Sequence, residues 1–285
     1  MSAVEAPVRR RPAPVSTRLF RSELSMVFRR RRNQAILAVL AAIPAVIALA
    51  IWLTSPVNDG RDGPPFLFSI TQNGVFVALT ALTVVLPLFL PLAVAVVAGE
   101  AVAGEASLGT LRYLLVVPVS RTRLLAVKYA AAVVYCLAAV LLVGAVGVGL
   151  GVLLFPTGPV TLLSGTQVPL AEGLWRVFLV ALYVAAMMAG LSAIGLFVST
   201  LTESPIAAMA TTAVLAVLSQ VLNQVPQIDW LWPWLFSHYW LSYGDLLRDP
   251  VATEGIVRGL LATGAYVLIF GSLAWARLTT KDVSS

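Results

Sequence analysis

The sequence predicts an all-α polytopic membrane protein with six transmembrane helices. Of its 285 residues, 59% are hydrophobic and only 11% carry a charge, and the mean hydropathy is +0.92. A soluble domain carries about 25% charged residues, so these side chains are too few to cover a water-soluble fold of this length. About 20 apolar residues form one membrane-spanning helix. Six spans therefore use most of the chain, and soluble enzymes and nucleic-acid-binding domains are excluded.

The N-terminal segment divides into a tail and a helix. Residues 1–15 are polar and rich in proline and arginine, which predicts a disordered cytoplasmic tail. Over residues 16–33, Phe20, Leu24 and Phe28 recur at helical spacing, while arginines fill the rest of the helical wheel. Such a basic amphipathic helix beside a span is expected to lie in the headgroup plane of the membrane. A solvated run of charges is the alternative interpretation.

Six apolar runs are predicted to form one transmembrane domain over residues 34–276, followed by a cytoplasmic tail over 277–285. Pro87 and Pro91 predict a kink in the second span. Ser204 and Pro205 are the residue types of a helix N-cap and first helical position, so spans four and five are expected to be adjacent and antiparallel. The predicted spans are 34–53, 75–98, 129–155, 177–202, 206–224 and 257–276.

The distribution of basic residues predicts the orientation. Fifteen of the nineteen lysines and arginines lie in the N-terminal segment, in the loop between spans two and three, and in the C-terminal tail. Because basic residues accumulate on the cytoplasmic side, both termini are expected to be cytoplasmic. The even number of spans agrees with this orientation.

The span cores contain no charged residue or histidine, which disfavours a proton-driven carrier. The sequence also has no phosphate-binding loop, since its lysines are Lys128 and Lys281. We therefore expect a non-catalytic chain: if it moves a solute uphill, the energy comes from another polypeptide.

The most informative segment is the loop after span two, residues 104–128, which reads GEASLGTLRYLLVVPVSRTRLLAVK. An acidic residue, Gly-Thr-Leu, a leucine pair, proline, Ser-Arg, a second leucine pair and lysine follow one another in this order. The segment resembles the signature region of ABC transporter permeases of the ABC-2 type. The matching residues are Glu105, Gly109, Thr110, Leu111, Leu114, Leu115, Pro118, Ser120, Arg121, Leu124, Leu125 and Lys128. An ordinary interfacial loop is the alternative.

The resemblance implies the transmembrane domain of an ABC-2 (type V) exporter in a bacterial cytoplasmic membrane. The chain would form the pathway as a dimer with itself or a related permease, and two copies of a separate ATP-binding subunit would supply the force. This chain would bind no cofactor or metal, while ATP and Mg²⁺ would bind the partner. A drug, antibiotic or lipid-like amphiphile is the expected substrate. The residues expected to couple to the ATPase are Glu100, Glu105, Gly109, Thr110, Leu111, Arg112, Leu114, Leu115, Pro118 and Arg121.

The family also has paired re-entrant helices between spans five and six, at the outer end of the pathway. Residues 226–249 hold four of the seven tryptophans, and aromatic rings prefer the membrane interface. Pro233 and Gly244 permit a broken, half-inserted helix. An ordinary aromatic belt would look similar. The proposed outer-gate residues are Trp230, Trp234, His238 and Trp240.

Polar residues on spans two and five are candidates for a translocation pathway. Thr212, Ser219 and Asn223 share one helical face, and polar groups in a bilayer need partners or water. In the family, spans two and five face the central pathway, which adds Thr80 and Thr83. Helix packing alone is the alternative. In span three, Gly147 and Gly151 form a small-residue pair that favours close packing within the chain.

Other functions remain as alternatives. A secondary carrier or channel would not need ATP, and a membrane-embedded enzyme would need a catalytic cluster that the sequence lacks. The resemblance to ABC-2 permeases also leaves a permease for copper-site maturation as an alternative. Separately, Met187, Met188 and Met209 could form a path for a soft metal ion, since thioethers bind copper(I). Methionine in a span is more often a packing residue.

Overall fold

The computed structural model describes residues 17–54, 73–109 and 120–280, and these parts of the chain are mostly helical. Two short strands, β1 (Val160–Thr161) and β2 (Gln167–Val168), pair antiparallel. Two 3₁₀ helices cover Pro226–Trp234 and Trp240–Leu247. The α-helices of the described parts are α1 (Arg18–Arg29), α2 (Arg31–Thr54), α3 (Val75–Val85), α4 (Phe89–Ser107), α5 (Arg121–Leu154), α6 (Leu170–Leu201), α7 (Pro205–Leu222) and α8 (Glu254–Thr280).

Six of these helices, α2 and α4 to α8, are long and apolar enough to cross a membrane. This confirms the predicted all-α class and the presence of six apolar helices. The expected disordered tail, residues 1–15, lies outside the described residues. The expected C-terminal tail is helical as far as Thr280, and its remainder also lies outside them.

The predicted second span consists of two helices. Helix α3 ends at Val85 and α4 begins at Phe89, so the kink predicted from Pro87 and Pro91 is a complete interruption of the helix. An interruption frees backbone carbonyls that lipid cannot satisfy. The side-chain amide of Gln220, on α7, donates a 2.6 Å hydrogen bond to the carbonyl oxygen of Pro87.

Several helices extend beyond the predicted apolar runs. Helix α4 continues to Ser107 and α5 begins at Arg121, so both helices extend into the segment predicted as the loop between spans two and three. The hydroxyl of Ser120 caps α5 by accepting a hydrogen bond from the Arg123 amide. An apolar run in the sequence identifies the part of a helix that lipid can cover. It does not identify the polar turns at the helix ends, which are helical because their side chains are paired.

The amphipathic helix predicted over residues 16–33 is present as α1, but it ends at Arg29. Arg30 has an extended conformation and separates α1 from α2. At this corner the Asn33 side chain donates to the Val27 carbonyl oxygen at 2.8 Å. The Tyr135 hydroxyl donates to the Asn33 carbonyl oxygen at 2.9 Å. The corner is therefore held against α5.

Helix α6 lies at the centre of the bundle. In its most apolar 18-residue stretch 72% of the residues are buried, compared with 6% in the corresponding stretch of α8. Its C-terminal turn leads directly into α7, as predicted. The Ser204 hydroxyl accepts a hydrogen bond from the Ala207 amide, and Pro205 is the first residue of α7. This confirms the helix start predicted from Ser204 and Pro205, and α6 and α7 pack against each other.

Close helix packing explains two of the four glycines of α5. A Cβ atom added at Gly147 would lie 2.6 Å from Ala78 Cα, and one at Gly151 would lie 1.9 Å from the Gly74 carbonyl oxygen. The predicted small-residue pair therefore packs within the chain, against α3.

Contacts between helix ends define two ends of the bundle. At the basic end, α1, the start of α2, the end of α4 and the start of α5 meet. At the aromatic end, the β-hairpin and the two 3₁₀ helices lie over the helices, and Arg176 donates to the Leu246 and Arg248 carbonyl oxygens.

Candidate functional site at the basic end

Lys128 is the centre of a buried group of charges at the basic end. Its ammonium nitrogen lies 2.8 Å from Glu23 Oε1 and 2.5 Å from Glu105 Oε1. The Lys128 side chain is only 2% exposed, and the two carboxylates are 11% and 15% exposed. A lysine so deeply buried needs paired carboxylates, because an isolated buried charge is strongly unfavourable. The contact joins α1, α4 and α5.

A second ion-pair group adjoins the first. Arg30 lies 2.5 Å from Glu100 Oε2, and Arg32 pairs with the same oxygen. Together these residues form what we call the Lys128 cluster, which consists of Glu23, Arg30, Arg32, Glu100, Glu105 and Lys128.

A small cavity lies inside the Lys128 cluster. It has a volume of about 30 Å³, enough for one water molecule, and Asn33 is among its lining residues. The Asn33 side-chain oxygen is buried, and no group of the described residues bonds to it.

The cluster stands at the base of the loop that connects α4 to α5. Glu105 is in the last turn of α4, before the loop, and Lys128 is in the second turn of α5, after it. Gly109 follows the end of α4 with a φ of +68°. Its amide donates to the Ala106 carbonyl oxygen, as in a glycine-terminated helix. A Cβ added at Gly109 would meet nothing within 4 Å. Gly109 is needed for its backbone conformation.

A buried serine forms hydrogen bonds with the backbone of α4 about one turn before Glu105. The Ser199 hydroxyl, from α6, donates to the Gly99 carbonyl oxygen at 2.6 Å. The hydroxyl oxygen of Ser199 in turn accepts hydrogen bonds from the Val102 and Ala103 amides at 3.0 and 2.9 Å. The hydroxyl therefore takes part in the hydrogen-bond ladder of α4. This contact ties the final turns of α4 to the central helix.

The structure distributes the predicted coupling residues over several environments. Glu100 and Glu105 are in the Lys128 cluster, and Gly109 ends α4. Arg121 instead donates to the carbonyl oxygens of Leu278 and Thr279, at the end of α8, at 2.8 Å each. The remaining predicted residues lie outside the described part of the chain: Thr110, Leu111, Arg112, Leu114, Leu115 and Pro118.

Several predicted pathway residues contact the segment between α7 and α8. The hydroxyls of Thr83 and Tyr243 are 2.6 Å apart, and those of Ser219 and Ser237 are 2.7 Å apart. Thr212 is buried and donates to the Ala208 carbonyl oxygen of its own helix. Thr80, on α3, is partly buried.

The predicted gate residues differ in exposure. Trp230 and Trp234 are 70% and 73% exposed, whereas Trp240 is only 2% exposed and belongs to the core. His238 Nδ1 lies 2.7 Å from the side-chain oxygen of Asn223, which is also one of the predicted pathway residues. Partial burial lowers the pKa of His238 below its usual range.

Glu23 and Ser199 were not identified from the sequence. For Glu23 a signal exists, because it lies at helical spacing from Phe20 and Val27 and so falls on the apolar stripe of α1. An acidic residue on such a stripe indicates a buried ion pair. Ser199 has no comparable signal, since one serine in an apolar helix most often bonds to its own backbone.

Residues 43–284 match the model of DUF2705, a family described as proteins of unknown function. The chain belongs to this family. The match includes the end of α2 and all later helices, hence Glu100, Glu105 and Lys128. It does not include α1 or the arginines at the start of α2. No curated protein matches the sequence.

Proposed function

We propose that this chain is the membrane-spanning permease subunit of an ATP-driven exporter of the ABC-2 type. In this proposal, two permease chains form the pathway in a bacterial cytoplasmic membrane. Two copies of a separate ATP-binding subunit press on the loop between α4 and α5. The basic end is then the cytoplasmic end, in agreement with the positive-inside rule.

The observation that carries the proposal is the position of the Lys128 cluster. Its ion pairs connect the helix before the loop, through Glu105, to the helix after it, through Lys128. Glu23 adds the amphipathic helix α1 to the same contact. A force on the loop would move all three elements together, as a passive chain driven by a partner requires.

The re-entrant gate is a further part of the proposal. The two 3₁₀ helices between α7 and α8 hold the exposed Trp230 and Trp234, and hydrogen bonds join this segment to α3 and α7. Movement of those helices would therefore displace the segment at the outer end of the pathway.

The test begins with the partner. An affinity-tagged chain is purified from its native membrane with mild detergent, and mass spectrometry identifies the proteins that accompany it. We expect a soluble ATP-binding protein whose ATP hydrolysis changes when the two are reconstituted together in liposomes. If no nucleotide hydrolase accompanies the chain, or if an ion gradient drives solute uptake by the chain alone, the chain is a secondary carrier or channel.

The role of the Lys128 cluster is tested in the same liposomes. We expect Glu105→Gln to reduce the effect of the chain on the hydrolysis rate by between about twofold and thirtyfold, the usual range for coupling residues. The matched control is Glu254→Gln, which alters an exposed ion pair with Arg258 on α8. Equal effects of the two variants would contradict the coupling role.

A further inference from the structure

An open groove lies between α2 and α4 beside the Lys128 cluster. It has a volume of about 300 Å³. Apart from Arg32 at one end, its lining is apolar, and Val39, Phe89 and Leu92 are partly exposed in it. We call it the Arg32 groove. Its lining includes Arg32, Ala35, Ile36 and Val39 of α2 and Phe89 and Leu92 of α4.

The length of the Arg32 groove matches one leaflet of a bilayer. On α2 it runs from Arg32 to Leu40, about 12 Å at a rise of about 1.5 Å per residue. Half of a hydrocarbon core measures about 15 Å. The groove thus extends from the level of the arginines to near the middle of the membrane, which suits one acyl chain.

At the end of the groove near Arg32, basic side chains outnumber the acidic side chains that pair with them. Arg32 lines this end of the groove, and it is the last of four consecutive exposed arginines, residues 29–32. Arg30 and Arg32 share Glu100, and among the described residues no carboxylate forms an ion pair with Arg29 or Arg31. Such a cluster at the end of an apolar groove attracts a phosphate on a hydrocarbon chain.

We propose that the Arg32 groove binds an anionic phospholipid of the leaflet at the basic end. The phosphate contacts the row of arginines, and one acyl chain lies along Ala35, Val39 and Leu92. A second copy of the chain, packed here about a twofold axis, would bring two such arginine rows together, which like-charge repulsion disfavours. Because Arg32 contacts both the groove and Glu100, bound lipid would also act on the Lys128 cluster.

The experiment measures lipid binding to the full chain purified in an uncharged detergent. Native mass spectrometry and thermal unfolding are recorded with phosphatidylglycerol, with phosphatidylcholine of the same acyl chains, and with inorganic phosphate. We expect retention and stabilisation with phosphatidylglycerol alone. Equal effects of the two lipids would overturn the proposal, and so would an equal effect of phosphate.

Two variants, each with a control, test separately whether lipid binding depends on the arginine charge and whether it depends on the apolar groove. Arg29→Gln with Arg31→Gln should weaken phosphatidylglycerol binding about thirtyfold, since each basic side chain near an anionic surface contributes roughly fivefold. Its control is Arg258→Gln with Arg277→Gln on α8, which removes the same charge. Ala35→Leu fills the groove and should also weaken binding, whereas Ala265→Leu on the exposed face of α8 should not.

The remaining outcomes overturn the proposal. If the arginine variant equals its control, the arginine row does not bind lipid. If Ala35→Leu leaves binding intact, the headgroup is held by surface charge and the groove is not the site. If Ala35→Leu instead converts a dimer to a monomer in size-exclusion chromatography, the groove is an interface between two copies.

Discussion

Lys128 is a buried cation with two acidic partners on different helices. The Lys128–Glu105 and Lys128–Glu23 distances of 2.5 and 2.8 Å leave no room for an intervening water. A buried ion pair adds little net stability compared with apolar packing, but removing one partner leaves uncompensated charge. The cluster is therefore sensitive to any change at Lys128.

Lys128→Met should lower the free energy of unfolding by about 3 kcal/mol, at the lower end of the range for a broken buried pair because both carboxylates are slightly exposed. The measurement is thermal or denaturant unfolding in detergent. Arg258→Met is the control, since its pair with Glu254 is 64% and 77% exposed and worth about 0.5 kcal/mol or less. Similar losses in the two variants would mean that the Lys128 cluster is not a buried pair in solution.

Ser199 and Ser192 are both fully buried on α6, but they bond to different partners. Ser199 bonds to the backbone of α4. Ser192 donates to the Met188 carbonyl oxygen of its own helix, and its contact with another helix is a long one, 3.5 Å to the Cys136 sulfur on α5. Ser199→Ala should cost about 1–3 kcal/mol, because it leaves the Val102 and Ala103 amides without that acceptor. Ser192→Ala should cost much less. Unfolding of both variants in detergent makes the comparison, and a larger loss for Ser192→Ala would contradict it.

Among the elements, α5 depends most on glycine. At Gly151 an added Cβ would overlap the Gly74 carbonyl oxygen, whereas at Gly149 it would meet nothing within 4 Å. Gly151→Ala should therefore force α3 and α5 apart and cost about 1–3 kcal/mol. Gly149→Ala should be neutral or stabilising by up to about 1 kcal/mol, because alanine is the better helix former.

The two glycine variants are compared by their unfolding midpoints in the same detergent. Both add one methyl group to the same helix, so a difference between them reports packing against α3. Equal midpoints would show that α3 and α5 are not in contact at Gly74 in solution.

The sequence allowed correct prediction of those elements that are determined by residues close together in the chain. The amphipathic stripe predicted α1, Pro87 and Pro91 predicted the break between α3 and α4, and Ser204 with Pro205 predicted the start of α7. The extension of α4 past Gly99 was missed, because Glu100 and Glu105 are stable in that helix only through partners on α1, α2 and α5. Such pairing is tertiary, and hydropathy carries no information about it.

The same distinction applies to the candidate site. The loop between α4 and α5 was identified from its residues, and Glu105 was placed in it. The partner Glu23 and the connection through Ser199 depend on which helices become neighbours. Arg121 was assigned to the loop, but it bonds to the end of α8, since the first turn of α5 faces the last turn of that helix.

At the scale of the whole molecule, charge and aromatic residues are separated between the two ends. The basic end holds the Lys128 cluster and the arginine row, and the aromatic end holds the hairpin and the tryptophan-rich segment. If the positive-inside rule applies, the turn between α6 and α7 is cytoplasmic and the β-hairpin is on the outside.

The sequence offers a clean background for testing this orientation, because its single cysteine, Cys136, is buried. Gln167→Cys lies in the exposed hairpin and Glu203→Cys in the exposed turn before α7. A membrane-impermeant maleimide applied to intact cells should label Gln167→Cys and not Glu203→Cys. Inside-out vesicles should give the reverse, and the unsubstituted chain should label weakly in both. Labelling of Glu203→Cys in intact cells would invert the orientation and move the Lys128 cluster away from any cytoplasmic ATPase.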